Sequence, residues 1–171
     1  RIPEGLDFFE AAPFGCAGVT TFNAVRKAQI LEGGRVAVFG LGGLGHLAVQ
    51  FATKLGYETV VIARGDERGQ LAYALGARTY INSDVTSPGA ALAAMGGADL
   101  IIYTASSTAP VTELMKGLAV HGQITLIGVD AGSISIPSSR LVMNAQTVTG
   151  HLTGSPRETQ EAMEFAVLNG I

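Results

Sequence analysis

Gly40-Leu41-Gly42-Gly43-Leu44-Gly45 spells G-x-G-x-x-G, with its three defining glycines at Gly40, Gly42 and Gly45. What these residues lack is what matters chemically. Without a Cβ, Gly40 permits a tight turn, Gly42 lets backbone approach a pyrophosphate, and Gly45 lets a helix pack closely on a strand. The chain holds 23 glycines, enough for such a pattern to arise by accident, so context decides. An apolar segment, Arg35–Phe39, runs into the turn, and Leu44, Leu47, Ala48, Phe51 and Leu55 recur after it at helical spacing. A helix opening there offers unpaired N–H groups and the positive end of its dipole. The chemistry implied is phosphate binding, with Gly40, Gly42, Gly43, Leu44 and Gly45 as the cradle of a dinucleotide.

The next chemistry lies one strand further on. NAD-binding domains usually place Asp or Glu about 20 residues beyond the turn, where it accepts hydrogen bonds from the ribose hydroxyls. Here the segment ends Ile62-Ala63-Arg64-Gly65, and Ala63 stands at that place, 18 positions after Gly45. Arg64 follows at once and Arg68 one helical turn later. A carboxylate would repel a 2′-phosphate, whereas guanidinium pairs with it, often bidentately. These residues predict NADP(H) in preference to NAD(H). The plainer alternative makes Arg64 and Arg68 solvated charges balanced by Asp66 and Glu67.

Positioning such a site needs a parallel sheet, and the pattern supplies one. Strands are predicted at Arg35–Phe39, Thr59–Ala63, Thr79–Ile81, Ala98–Thr104, Gln123–Val129 and Gln146–Gly150. Between them, helices are expected at Asp66–Leu75, ended by Gly76, weakly at Ala90–Met95, and at Ala109–Leu118, with a last one at Glu158–Leu168. Steady alternation implies an α/β, doubly wound, six-stranded parallel sheet of Rossmann type with helices on both faces. Binding then belongs at the carboxyl ends of the strands. Phe14–Lys27 reads as a helix outside this alternation. Residues 1–34 are therefore expected to be a lead-in from a separate domain, and residues 35–171 the dinucleotide-binding domain.

Composition narrows the class. Hydrophobic residues make up 47% of the chain and charged ones only 15%, which fits strands covered on both faces and excludes disorder. A net charge of −3 argues against nucleic acid as partner. No apolar run approaches the roughly 20 residues of a membrane helix. The single cysteine permits no internal disulfide, and a cytoplasmic location is expected.

Two motifs together carry a resemblance: Cys16-Ala17-Gly18-Val19-Thr20-Thr21, and the glycine turn extended as Gly45-His46-Leu47-Ala48-Val49-Gln50. Leu75-Gly76-Ala77 and Leu126-Ile127-Gly128-Val129 add to them. The chain resembles the cofactor domain of zinc-dependent medium-chain alcohol dehydrogenases, in particular bacterial and yeast-like NAD(P) alcohol dehydrogenases and their cinnamyl alcohol relatives. The resemblance implies that Cys16 is a catalytic zinc ligand whose partner ligands lie in a catalytic domain outside this chain. It also implies that Thr20 sits beside the nicotinamide, that Leu44 backs its ring, and that Gly128 and Val129 offer backbone groups to its carboxamide. Thr104 and Ala105 would lie against a ribose, and Arg68 would contact the adenosine ribose. The implied reaction is hydride transfer between NADP(H), or NAD(H), and an alcohol or aldehyde. The chain alone would be inactive.

Ser133-Ile134-Ser135-Ile136-Pro137 alternates polar and apolar residues and reads as an extra edge strand, a candidate homodimer surface, and the resemblance implies that this region pairs with its copy across a subunit interface. The alternative is a plain surface hairpin. His46 reads as structural, His121 as solvent-facing in a turn, and His151 as closing the sixth strand near the cleft. No G-x-S-x-G surrounds Ser106, Ser107, Ser138 or Ser139, so a hydrolase reading fails. Two rivals remain. One is a zinc-free quinone or enoyl reductase of the same fold, separable by the metal content of the whole gene product. The other is a non-catalytic dinucleotide-sensing module.

Overall fold

The computed structural model describes residues 1–171. Six strands form one parallel sheet: β1 (Arg35–Phe39), β2 (Glu58–Ala63), β3 (Thr79–Asn82), β4 (Ala98–Tyr103), β5 (Leu118–Leu126) and β6 (Thr147–Gly150). Their order is β3-β2-β1-β4-β5-β6, so the winding direction reverses between β1 and β4. A crevice opens there, outside the carboxyl ends of the strands. The helices are α1 (Phe8–Ala11), α2 (Ala17–Arg26), α3 (Gly43–Lys54), α4 (Arg68–Ala74), α5 (Pro88–Ala94), α6 (Val111–Leu114), α7 (Ser138–Asn144) and α8 (Pro156–Asn169). None is long and apolar enough to cross a membrane.

Side-chain alternation along each strand feeds two cores. In β4, Leu100 and Ile102 enter a cluster with Val36, Val38, Val61 and the Ala48–Val49–Ala52 face of α3. Ile101 and Tyr103 point the other way, joining Leu92 of α5 and Val111, Leu114 and Met115 around α6. All of these are buried, and each large aliphatic side chain withdrawn from water contributes about 1.5–3 kcal/mol. Both faces of the central strands are thus covered, which is why they read as unbroken apolar runs. A third cluster joins Phe22 of α2, Phe51 of α3 and Met163 of α8, with the Phe22 and Phe51 ring centroids 5.1 Å apart.

Four expectations are corrected. The helix expected at Ala109–Leu118 is only the single turn α6 followed by a 3-10 turn at Met115–Gly117. Leu118 therefore already belongs to β5, and the strand ends at Leu126 rather than Val129. A register shift between Ala98 and Leu100 lets β5 start early, and the turn expected at His121 survives inside the strand as a residue with φ +64°. His121 is exposed there, as expected.

The strand at Ser133–Pro137 does not form. Ile134 and Ile136 pack against the second core instead. The Ser135 carbonyl accepts the Thr112 hydroxyl at 2.6 Å, and the Ser133 carbonyl that of Thr108 at 3.5 Å. Alternation here reflects inward isoleucines on an irregular segment, and acceptors that an edge strand would expose are taken by the chain's own threonines. Finally, helix over Phe14–Lys27 is split: a 3-10 turn covers Ala12–Gly15 and α2 begins at Ala17.

Candidate functional site

Gly40 ends β1 at φ +96°, and a Cβ there would collide with the Thr104 hydroxyl. Only glycine fits both demands. The turn is held from both neighbouring strands: Gly40 N–H donates to Ile62 O at 2.8 Å, and the Thr104 hydroxyl to Phe39 O at 2.9 Å. At Gly45 an added Cβ would strike the Gly40 carbonyl, so this glycine sets how closely α3 approaches the turn. Gly42 and Gly43 differ, since an added Cβ meets nothing within 4 Å at either. Gly42 is the N-cap of α3 and brings no side-chain cap, leaving first-turn N–H groups facing open space.

That space is a cleft of about 1440 Å³ running along the carboxyl ends of β1, β2, β3 and β4. Of the residues singled out from the sequence, Gly40, Gly42, Gly43, Leu44, Ala63, Arg64, Arg68, Thr104 and Ala105 line it. Gly45 stands behind the lining. Arg64 and Arg68 are exposed, and neither joins any of the ion pairs in the structure. The balancing role considered for Asp66 and Glu67 therefore does not occur within ion-pair distance. Arg68 reaches back to the glycine turn, donating to Leu41 O at 3.3 Å.

The remaining candidates lie elsewhere. Thr20 is buried, its hydroxyl donating to Cys16 O at 2.7 Å. Gly128 packs so closely that a Cβ would strike the Ala105 carbonyl, and its N–H donates to Tyr103 O at 3.1 Å. Val129 is 83% exposed. None of the three lines the cleft. His151 does not line it either; it is half-buried, and burial first and Lys27 second push its pKa below the ordinary imidazole value. Its Nε2 is buried without a partner.

Sequence reasoning missed one wall. Residues 83–87, between β3 and α5, and Pro88 at the start of α5 line the cleft, as do Glu67 and Glu113. Asp84 accepts the Gly65 N–H at 3.0 Å, and Asn82 donates to Asp66 at 2.7 Å. The Tyr80 hydroxyl donates to Gly65 O, and burial first and the Glu67 carboxylate second raise its pKa. These bonds clasp the turn that carries Arg64. The available signal was positional, because any segment leaving a parallel strand at its carboxyl end borders the crevice. On the floor, Phe39 and Tyr103 stack with centroids 4.9 Å apart and planes 9° from parallel.

A turn open at Gly42 and Gly43, beside two cations that join no ion pair, fits a phosphate-rich dinucleotide. Metal is another matter. No group of three or more His, Cys, Asp or Glu residues is placed to hold an ion. Cys16 stands alone and exposed at the N-cap of α2, not buried as a lone apolar cysteine would be. The residues of this chain do not make a zinc site.

Residues 43–167 match the family model described as zinc-binding dehydrogenase. The chain belongs to the zinc-binding dehydrogenase family. It is 40% identical over 166 residues to an alcohol dehydrogenase of Aspergillus sp. (strain MF297-2), covering 97% of this chain and 49% of that protein. An alcohol dehydrogenase of Geobacillus stearothermophilus is 36% identical over 167 residues, covering 97% of this chain and 50% of the relative. Among solved structures, a cinnamyl alcohol dehydrogenase of Sorghum bicolor superposes with a TM-score of 0.85 at 31% identity, over 100% of this chain and 48% of that one. The chain thus spans about half the length of the relatives it matches. The family match and the α/β fold agree with the resemblance carried by the two motifs.

Proposed function

We propose that this chain is the dinucleotide-binding half of an alcohol dehydrogenase and that it prefers NADP(H). One observation carries the preference: the cleft wall at the end of β2 offers Ala63 and two unpaired guanidinium groups where an NAD-binding domain would offer a carboxylate. Asp66 and Asp84 are each committed to a hydrogen bond of the clasping turn. Arg64 and Arg68 are then the cations available to a 2′-phosphate.

When bound, the nicotinamide supplies the hydride that passes to or from the substrate carbon. What this chain does is bind and orient. The α3 N-terminus and Gly42 receive the pyrophosphate, while Leu44, Thr104 and Ala105 bound the ribose and nicotinamide side. Thr20, Gly128 and Val129 are proposed nicotinamide neighbours on the resemblance alone. Cys16 is proposed as one zinc ligand in the whole protein, the others lying outside residues 1–171. The division at residue 35 and a cytoplasmic location are proposals too, resting on the strand–helix alternation and on the single cysteine. A homodimer through residues 133–137 has only the resemblance behind it, since the strand that suggested it is absent.

Calorimetric titration of the purified protein with NADPH and NADH tests the reading. NADPH is expected to bind more tightly, and Arg64→Ala to erase about 1.5–3 kcal/mol of that advantage, the range for a charge-assisted contact. A second reading, NAD(H), has its own observation: the Glu67 carboxylate also faces the cleft, over Gly65. Tighter NADH binding, lost in Glu67→Ala, would decide for it.

A further inference from the structure

The missed wall has an unusual attachment. Segment 83–88 leaves β3, a four-residue strand at the sheet edge paired only to β2. Its inner hydrogen bonds run back to the β2 side, from Ser83 N–H to Ala63 O and from Gly65 N–H to Asp84. Every hydrogen bond that crosses from residues 83–89 to the β4 side ends on one carboxylate. Glu113, on α6, accepts the Gly89 N–H on both oxygens at 3.1 Å and also accepts the Ser87 hydroxyl. Contact at this point is close, for Gly89 is buried and a Cβ there would strike the Glu113 carbonyl. Ser87 and Glu113 both line the cleft.

We propose that Glu113 is a positioning residue for the dinucleotide. Its carboxylate latches the turn opening α5 onto α6 and so sets the width of the cleft at its adenosine end. This rests on the dinucleotide reading above. An edge strand with an unpaired side gives its following loop little restraint, and a buried N–H with a charge-assisted partner gives much. Latching therefore acts on the outer wall and leaves the glycine turn, held by β2 and β4, unaffected.

Two readings on the purified protein test it: affinity for 2′,5′-ADP by calorimetry, and amide hydrogen exchange across residues 83–90. Glu113→Ala is expected to speed exchange in that segment and weaken 2′,5′-ADP about tenfold, in line with losing bonds to a charged group. Glu113→Gln, whose amide keeps one neutral acceptor for Gly89 and can donate to the Ser87 oxygen, is expected to recover most of that loss. Ser87→Ala should fall between them and serves if Glu113→Ala does not fold. Glu158→Ala, which removes the Ser155–Glu158 cap of α8 away from the cleft, controls for general destabilisation and should leave the affinity unchanged. Unchanged exchange or unchanged affinity in folded Glu113→Ala overturns the proposal, as does an equal loss of affinity in Glu158→Ala. Failure of the wild-type protein to bind 2′,5′-ADP, NADPH or NADH overturns the dinucleotide reading and this role with it. Exchange across 83–90 would then report the latch as packing alone.

Discussion

Gly42 and Gly45 lie three residues apart in one motif, yet they are needed for different reasons. A methyl at Gly45 strikes the Gly40 carbonyl inside the fold, whereas one at Gly42 enters empty cleft. Gly45→Ala is therefore expected to cost stability by the usual route of overpacking, about 1–3 kcal/mol, and to disturb the turn with it. Gly42→Ala should melt close to wild type, having φ −93° and no steric conflict, while NADPH binding collapses. Melting curves paired with titrations separate the two. If Gly42→Ala binds as tightly as wild type, the pyrophosphate does not approach that backbone. The close packing at Gly45 was legible in the sequence because glycine spacing encodes backbone demands directly. Asp84, Glu113 and the stacked Phe39–Tyr103 pair were not legible, since each acquires its place only when distant strands align at their carboxyl ends.

The elements show the same contrast between local and assembled information. Strand β1 and the start and end of β4 were readable to within a residue, because buried parallel strands are uninterrupted apolar runs. Ser133–Pro137 misled because period-2 alternation marks any segment with one face inward, paired or not. Helix α8 illustrates what caps add. Ser155 and Glu158 form a reciprocal capping box, with Ser155 N–H to Glu158 at 2.7 Å, and Lys27 at the end of α2 pairs with the same carboxylate. Lys27 first, and Ser155 next, lower the Glu158 pKa from 4.5 to about 2. A carboxyl held low in the folded state adds stability above its unfolded value, and that contribution is lost as pH falls through the folded one. The melting temperatures of wild type and Glu158→Gln should thus differ by a constant amount above about pH 5 and converge between 4.5 and about 2. A gap that persists undiminished at pH 2 would show that Glu158 acts through packing, not charge.

On the scale of the whole molecule, the residues of this chain account for the packing of the sheet but make no metal site. Both cores are closed by the chain's own helices, so folding should not depend on metal. The one cysteine is exposed and has no cluster of partner ligands. Dinucleotide should nonetheless stabilise the fold, because a ligand that binds only the folded state adds about 2.7 kcal/mol at a hundredfold excess over Kd. For a chain of this size each kcal/mol raises the melting temperature by about 2–4 °C, so saturating NADPH should raise it by about 5–10 °C. NADH at the same concentration should give less. Treatment with EDTA should leave the melting temperature unchanged, since no set of side chains here can convert metal affinity into folding energy. A fall on chelation would mean that Cys16 recruits ligands the fold does not show, and that zinc belongs to the architecture of this half. An NADPH shift that disappears in Arg64→Ala while an NADH shift survives would tie the stabilisation to the 2′-phosphate itself. Equal shifts from both cofactors would leave the cleft standing and remove the reason for assigning Arg64 a role in choosing between them.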